Sequence, residues 1–116
     1  MSEVHLDDAA LNALRDVMAE EYPLLLETFI SDSEERLRSL REALANADSQ
    51  ALRHAAHSFK GSCGNMGAQI LAGLCKQLEE SARQTDLPHA EALVEQVERE
   101  FAIVRILLKQ QRHPRR

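Results

Sequence analysis

Apolar residues recur every third or fourth position along almost the whole 116-residue chain, and no segment shows the strict alternation of a half-buried strand. Leu11, Leu14, Val17 and Met18 mark a short first helix that Asp7 or Asp8 can cap. Tyr22-Pro23 ends it, and Pro23 suits the first turn of a second helix running to about Ala45. Leu26, Phe29, Ile30, Leu37, Leu40 and Leu44 form the inward stripe of that helix, although Ser31-Asp32-Ser33 place three weak helix formers in mid-run. Asn46-Ala47-Asp48 reads as a connection in which Asp48 caps a third helix from about Ser49. Leu52, Ala56, Phe59, Cys63 and Met66 line its apolar side, and Gly67 supplies a stop. A fourth helix covers roughly Gln69 to Gln84, with Leu71, Leu74, Cys75, Leu78 and Ala82 facing in. After a turn at Thr85-Asp86-Leu87-Pro88, Leu93, Val97, Phe101, Val104 and Leu108 mark a long final helix.

Five amphipathic helices with short connections predict an all-α fold, an antiparallel four-helix bundle with a short additional N-terminal helix across one end. The length suits a single domain over residues 1–116, with its core at about 7–110 and residues 111–116 as a basic C-terminal tail. Four glycines and three prolines are too few for an all-β chain. A formal charge of −5 without clustered basic and aromatic residues argues against nucleic-acid binding. No apolar run approaches the ~18 residues of a membrane span, and the acidic N-terminus is unlike a signal peptide. Cys63 and Cys75 read as reduced, small core residues, so a cytoplasmic location is expected.

All four glycines, Gly61, Gly64, Gly67 and Gly73, fall within thirteen residues. Gly61 and Gly64 sit inside the third helix, where each costs about 1 kcal/mol relative to Ala. At about 100° per residue, His57 lies roughly 150° from the centre of that helix's apolar stripe and should face solvent. Gly61 and Gly64 follow on nearly the same line, and Arg53 and Lys60 border it with positive charge. An exposed imidazole, nucleophilic near neutral pH, beside a cleared and cationic surface suits transfer of a phosphoryl group.

The run Ala56-His57-Ser58-Phe59-Lys60-Gly61-Ser62-Cys63-Gly64-Asn65-Met66-Gly67-Ala68 closely resembles the signature of histidine-containing phosphotransfer (HPt) domains. Cys75-Lys76-Gln77-Leu78-Glu79 is similar to that family's next segment, so about thirty residues carry motif-level resemblance. The whole chain looks like a single-domain HPt protein of proteobacterial type. The resemblance implies that His57 accepts the phosphoryl group, Lys60 stabilises it, Gly61 gives steric clearance and Glu79 orients the imidazole. Gly64 stands where the family more often has Ala, a departure that costs helix stability rather than function. Arg53, His54, Gly64 and Lys76 are candidate partner contacts.

The implied function is that of a phosphorelay intermediate. A receiver-domain aspartate of a hybrid sensor kinase donates to His57, which passes the group to a response-regulator receiver. The chain itself has no Gly-rich phosphate loop and no room for an ATP-binding domain, so it is expected to be a phosphocarrier rather than an enzyme. Catalysis then lies mainly in the receiver, which is expected to hold magnesium, while this chain is expected to bind no cofactor or metal and to be a monomer. The alternative is a helical-bundle module that binds receivers or other partners without phosphotransfer; an intact His57, Lys60 and Gly61 set speaks against it. Each residue also has a plainer reading. His54 is a surface histidine, since a His-x-x-His pair alone is not a metal site. His5, His89 and His113 show no organised neighbours, and the Glu34-Glu35-Arg36-Arg38-Arg41-Glu42 cluster reads as a solvated, ion-paired face.

Overall fold

A computed structural model describes residues 4–112. The elements are α1 (Asp8–Met18), a 3-10 turn (Ala19–Glu21), α2 (Tyr22–Ala45), α3 (Ser49–Asn65), α4 (Gln69–Arg83) and α5 (Leu87–Arg112), with no strand among the described residues. Helices α2 to α5 close a ring in which α3 packs on α2 and α4, and α5 packs on α4 and α2. Connections of three residues leave no alternative to antiparallel neighbours. The predicted four-helix bundle with a short N-terminal helix is the observed architecture. Among the described residues no helix is long and apolar enough to cross a membrane.

The core is built from the predicted stripes. Leu26, Leu40, Leu52, Ala56, Phe59, Cys63, Leu71, Cys75, Leu78, Val97, Val104 and Leu108 are wholly buried. Weak propensities at Ser31-Asp32-Ser33 do not interrupt α2, because Ser33 is itself packed into the bundle and burial outweighs a few tenths of a kcal/mol. Val17 departs from expectation at 80% exposed. It lies six residues from buried Leu11, about 120° round the helix, whereas Leu14 and Met18 stay near the covered side.

Three helix ends share one stop. Ala47, Gly67 and Thr85 all have positive φ, and the amide one residue further on donates to a carbonyl of the last turn: Asp48 to Ala43, Ala68 to Cys63, Asp86 to Ser81. Only Gly67 was legible as such, since Ala and Thr rarely adopt that conformation. Asp48 then caps α3 through the Ala51 amide, as expected, while Asp86 accepts from the His89 amide. α5 thus begins at Leu87, and Pro88 occupies its first turn rather than a separate loop.

Two further expectations are corrected. Part of the charged face of α2 pairs across the bundle rather than along its own helix. Arg41 makes a bidentate pair with Glu98 of α5 at 2.7 and 2.8 Å, and Glu34 Oε2 lies 3.2 Å from Arg105 Nε, an ion pair rather than an aligned hydrogen bond. Arg41 holds the Glu98 carboxyl below its ordinary range. His5 and His89 do have organised neighbours: His5 Nδ1 is 2.6 Å from buried Glu100, and His89 Nδ1 is 3.0 Å from Ser81 Oγ. His113 and the rest of the basic tail lie outside the described residues.

Gly67 has φ +72°, and a Cβ there would stand 3.0 Å from the Asp7 Cβ and 3.2 Å from that of Ala10. Gly67→Ala should therefore lower stability by about 1–3 kcal/mol, whereas Ala47→Gly should raise it by a few tenths to about 1 kcal/mol by relieving the left-handed alanine. Chemical denaturation of both variants checks the pair of signs.

Candidate phosphotransfer site

The site rests on the register of α3 against α4. The chain reverses at Gly67-Ala68, so residues at similar distances from that corner face one another. Cys63 meets Cys75, and further out His57 and Lys60 meet Glu79. Cys75 and burial push the Cys63 thiol far above its ordinary range, which makes it a packing group rather than a nucleophile.

Glu79 spans two partners. Its Oε2 lies 2.9 Å from His57 Nδ1, and its Oε1 accepts from Lys60 Nζ at 2.8 Å. The Lys60 ammonium first, and His57 second, hold the Glu79 carboxyl below the usual range against the opposing effect of burial. An ionised carboxylate only accepts, so Nδ1 carries the proton of that contact, and in the neutral ring the lone pair lies on Nε2. The His57 side chain is 66% exposed while that of Glu79 is only 20% exposed. A largely covered carboxylate therefore holds an open ring by one nitrogen.

The remaining candidates surround it. Gly61 and Gly64 are exposed, and a Cβ at either would meet no atom of the chain within 4 Å. Nothing in this fold requires their bareness. Arg53 and His54 are exposed on α3, and Lys76 is exposed on α4 beside a groove of about 700 Å³ that Lys60 and Glu79 also line. Among the described residues no group of three or more His, Cys, Asp or Glu side chains is placed to hold a metal.

Sequence reasoning overlooked two contacts. The Lys60–Glu79 pair means that Lys60 is already engaged before any phosphate arrives. Arg36 of α2 donates from Nε and Nη2 to Ser58 Oγ, at 3.3 and 3.1 Å, next to the histidine. The first could have been found by pairing residues about the Gly67 corner. The second depends on the rotation of α2, for which the sequence holds no local signal.

A family model described as the Hpt domain matches residues 24–107. The crystal structure of histidine-containing phosphotransfer protein B (HptB) from Pseudomonas aeruginosa PAO1 is similar with a TM-score of 0.94 and 64% identity, covering 99% of this chain and 100% of that one. The Sensor protein TorS of Escherichia coli (strain K12) is 43% identical over 49 residues, which are 42% of this chain and 5% of TorS. The chain thus corresponds to a small part of that curated relative.

Because the folded Glu79 carboxyl is depressed, its stabilising contribution is present above the unfolded carboxylate value of about 4.3 and is lost as pH falls through the lower folded value. Glu79→Gln should lower Tm by about 2–5 °C at neutral pH. The gap should close in acid. Melting curves of parent and variant between pH 7 and pH 3 check this, and a gap independent of pH would contradict the ionic account.

Proposed function

The chain belongs to the Hpt domain family and is a phosphocarrier that serves histidine phosphotransfer in a phosphorelay, and from that premise we propose that His57 Nε2 is the acceptor atom. The observation that carries this assignment is the Glu79–Nδ1 contact on an otherwise open ring. The Nε2 lone pair attacks the phosphorus of an aspartyl phosphate. The bond from phosphorus to the aspartate oxygen breaks, and its electron pair leaves on the carboxylate. The product is a phosphoimidazolium whose proton stays on Nδ1, hydrogen-bonded to the Glu79 carboxylate. Onward transfer reverses these steps: a second aspartate attacks phosphorus and neutral imidazole leaves. No proton need be gained or lost in either direction.

Lys60 supports the phosphate oxygens by exchanging its Glu79 contact for them, and Gly61 leaves room for the approaching domain. The partners of such a chain are two-component phosphorelay proteins such as receiver domains. We assign the donor to a hybrid sensor kinase and the acceptor to a response regulator. Likeness to a segment of a sensor protein supports the first assignment. In this reading magnesium and most of the catalytic power belong to the receiver, so this chain works as a carrier rather than an enzyme, and we assign it to the cytoplasm as a monomer. A module that only binds is not favoured, because it has no use for an imidazole fixed in a reactive tautomer.

His57→Gln should abolish uptake of acid-labile, base-stable phosphate from a phosphorylated receiver while leaving the helical circular dichroism unchanged; phosphate persisting on His54 would contradict the assignment. Lys60→Ala should slow transfer about ten- to a hundredfold, since it removes charge stabilisation at the transition state. Gly61→Ala should raise stability by up to about 1 kcal/mol, and Gly61→Gln should at least hold it. Transfer should nevertheless fall steeply with the size of the new side chain. Transfer by Gly61→Gln at the parent's rate would show that the receiver does not approach over Gly61.

A further inference from the structure

The positive charge around His57 is unevenly neutralised. On the α4 side, Lys60 is paired with Glu79 and Arg83 with Glu80, which leaves exposed Lys76 as that helix's one cation without an ion pair among the described residues. On the α2 side, a groove of about 600 Å³ between α2 and α3 is lined by Arg36, Arg53, His54 and Ser58. No carboxylate among the described residues lies within ion-pair distance of Arg36, Arg53 or His54. The one acid lining this groove, Asp48, accepts the Ala51 amide as the cap of α3.

Arg36 is the distinctive member. Arg41 and Arg105, the other arginines that join α2 to a neighbouring helix, each face a glutamate, whereas Arg36 is half-buried against a neutral hydroxyl. A guanidinium carries five N–H donors. Ser58 Oγ receives the Arg36 Nε and Nη2 groups, which leaves Nη1 and the second Nη2 hydrogen free, and the serine fixes the fork's position without cancelling its charge. Such a preset, uncompensated fork matches a carboxylate.

We propose that this groove seats an acidic segment of the receiver domain, a carboxylate on Arg36 with Arg53 and His54 beside it, while the receiver's aspartate faces His57. The inference rests on the phosphotransfer reading above and adds to it the side from which the partner docks and the charge it must carry. A chain of net charge −5 repels an acidic partner at long range, so the local positive patch acts at short range, where it fixes the orientation of docking. Ser58 has a purely positioning part.

The test separates this role from a simple stitch between α2 and α3. Receiver domains from the hybrid kinases and response regulators of the source genome are expressed singly, and the one that exchanges phosphate fastest is the probe. Its affinity for the unphosphorylated full chain is measured by calorimetry. Arg36→Gln should weaken binding about tenfold at about 50 mM salt and much less at about 500 mM. Ser58→Ala, which frees the guanidinium but keeps its charge, should lose only about two- to threefold and retain the parent's salt dependence. Arg99→Gln, at an exposed position of α5 that does not line this groove, should bind like the parent. Equal affinity of Arg36→Gln and parent, or an equal loss in Ser58→Ala, overturns the proposal. If the parent loads phosphate in either case, the phosphotransfer reading stands and only the docking side is wrong. A chain that no receiver loads or binds overturns both.

Discussion

One carboxylate held between two donors, an ammonium and an imidazole, organises this molecule's chemistry. Glu79 is anchored on α4, but its two oxygens belong functionally to α3, where one holds the imidazole and the other the ammonium. The arrangement exists only while α3 and α4 keep their antiparallel register. That register depends in turn on the reversal at Gly67, on the Cys63–Cys75 contact and on the burial of Phe59 and Leu78 between the helices. Core packing is thus the means by which a solvent-exposed histidine acquires a defined tautomer.

The same interaction explains why the site is built from a helix surface rather than a pocket. A relay intermediate must meet the active sites of other proteins, so the reacting ring has to stand clear while its orienting partner stays covered. On the proposed assignment, the 66% and 20% exposures of the His57 and Glu79 side chains divide those tasks between two residues. Gly61 and Gly64 extend the division: α3 gives up helix propensity on the line beyond His57, where the fold itself has no use for the room. The fold's stability rests instead on the buried stripes of its helices.

Much of this was legible in the sequence, for identifiable reasons. Helix number, the core stripes and the outward direction of His57 follow from a 3.6-residue period that burial enforces. The glycine window and its flanking residues carried the resemblance that named the candidate acceptor, its lysine and Glu79. What stayed hidden depends on rotation and register between helices. Val17 looked like a stripe residue because a short helix covers only a narrow face. In the sequence Arg36 is one charge among several on a polar face, and its seat on Ser58 depends on the rotation of α2 against α3. The stops at Ala47 and Thr85 were invisible as such because neither residue advertises a left-handed conformation.

The claim on which everything else turns is that Glu79 reserves Nδ1 and leaves Nε2 to react. Phosphorylating the 15N-labelled protein with a receiver's acyl phosphate and recording long-range 1H–15N and 31P spectra of the His57 ring reads this directly. The account predicts phosphorus bonded to Nε2, with a proton retained on Nδ1. Phosphorus found on Nδ1, or on a histidine other than His57, would contradict it.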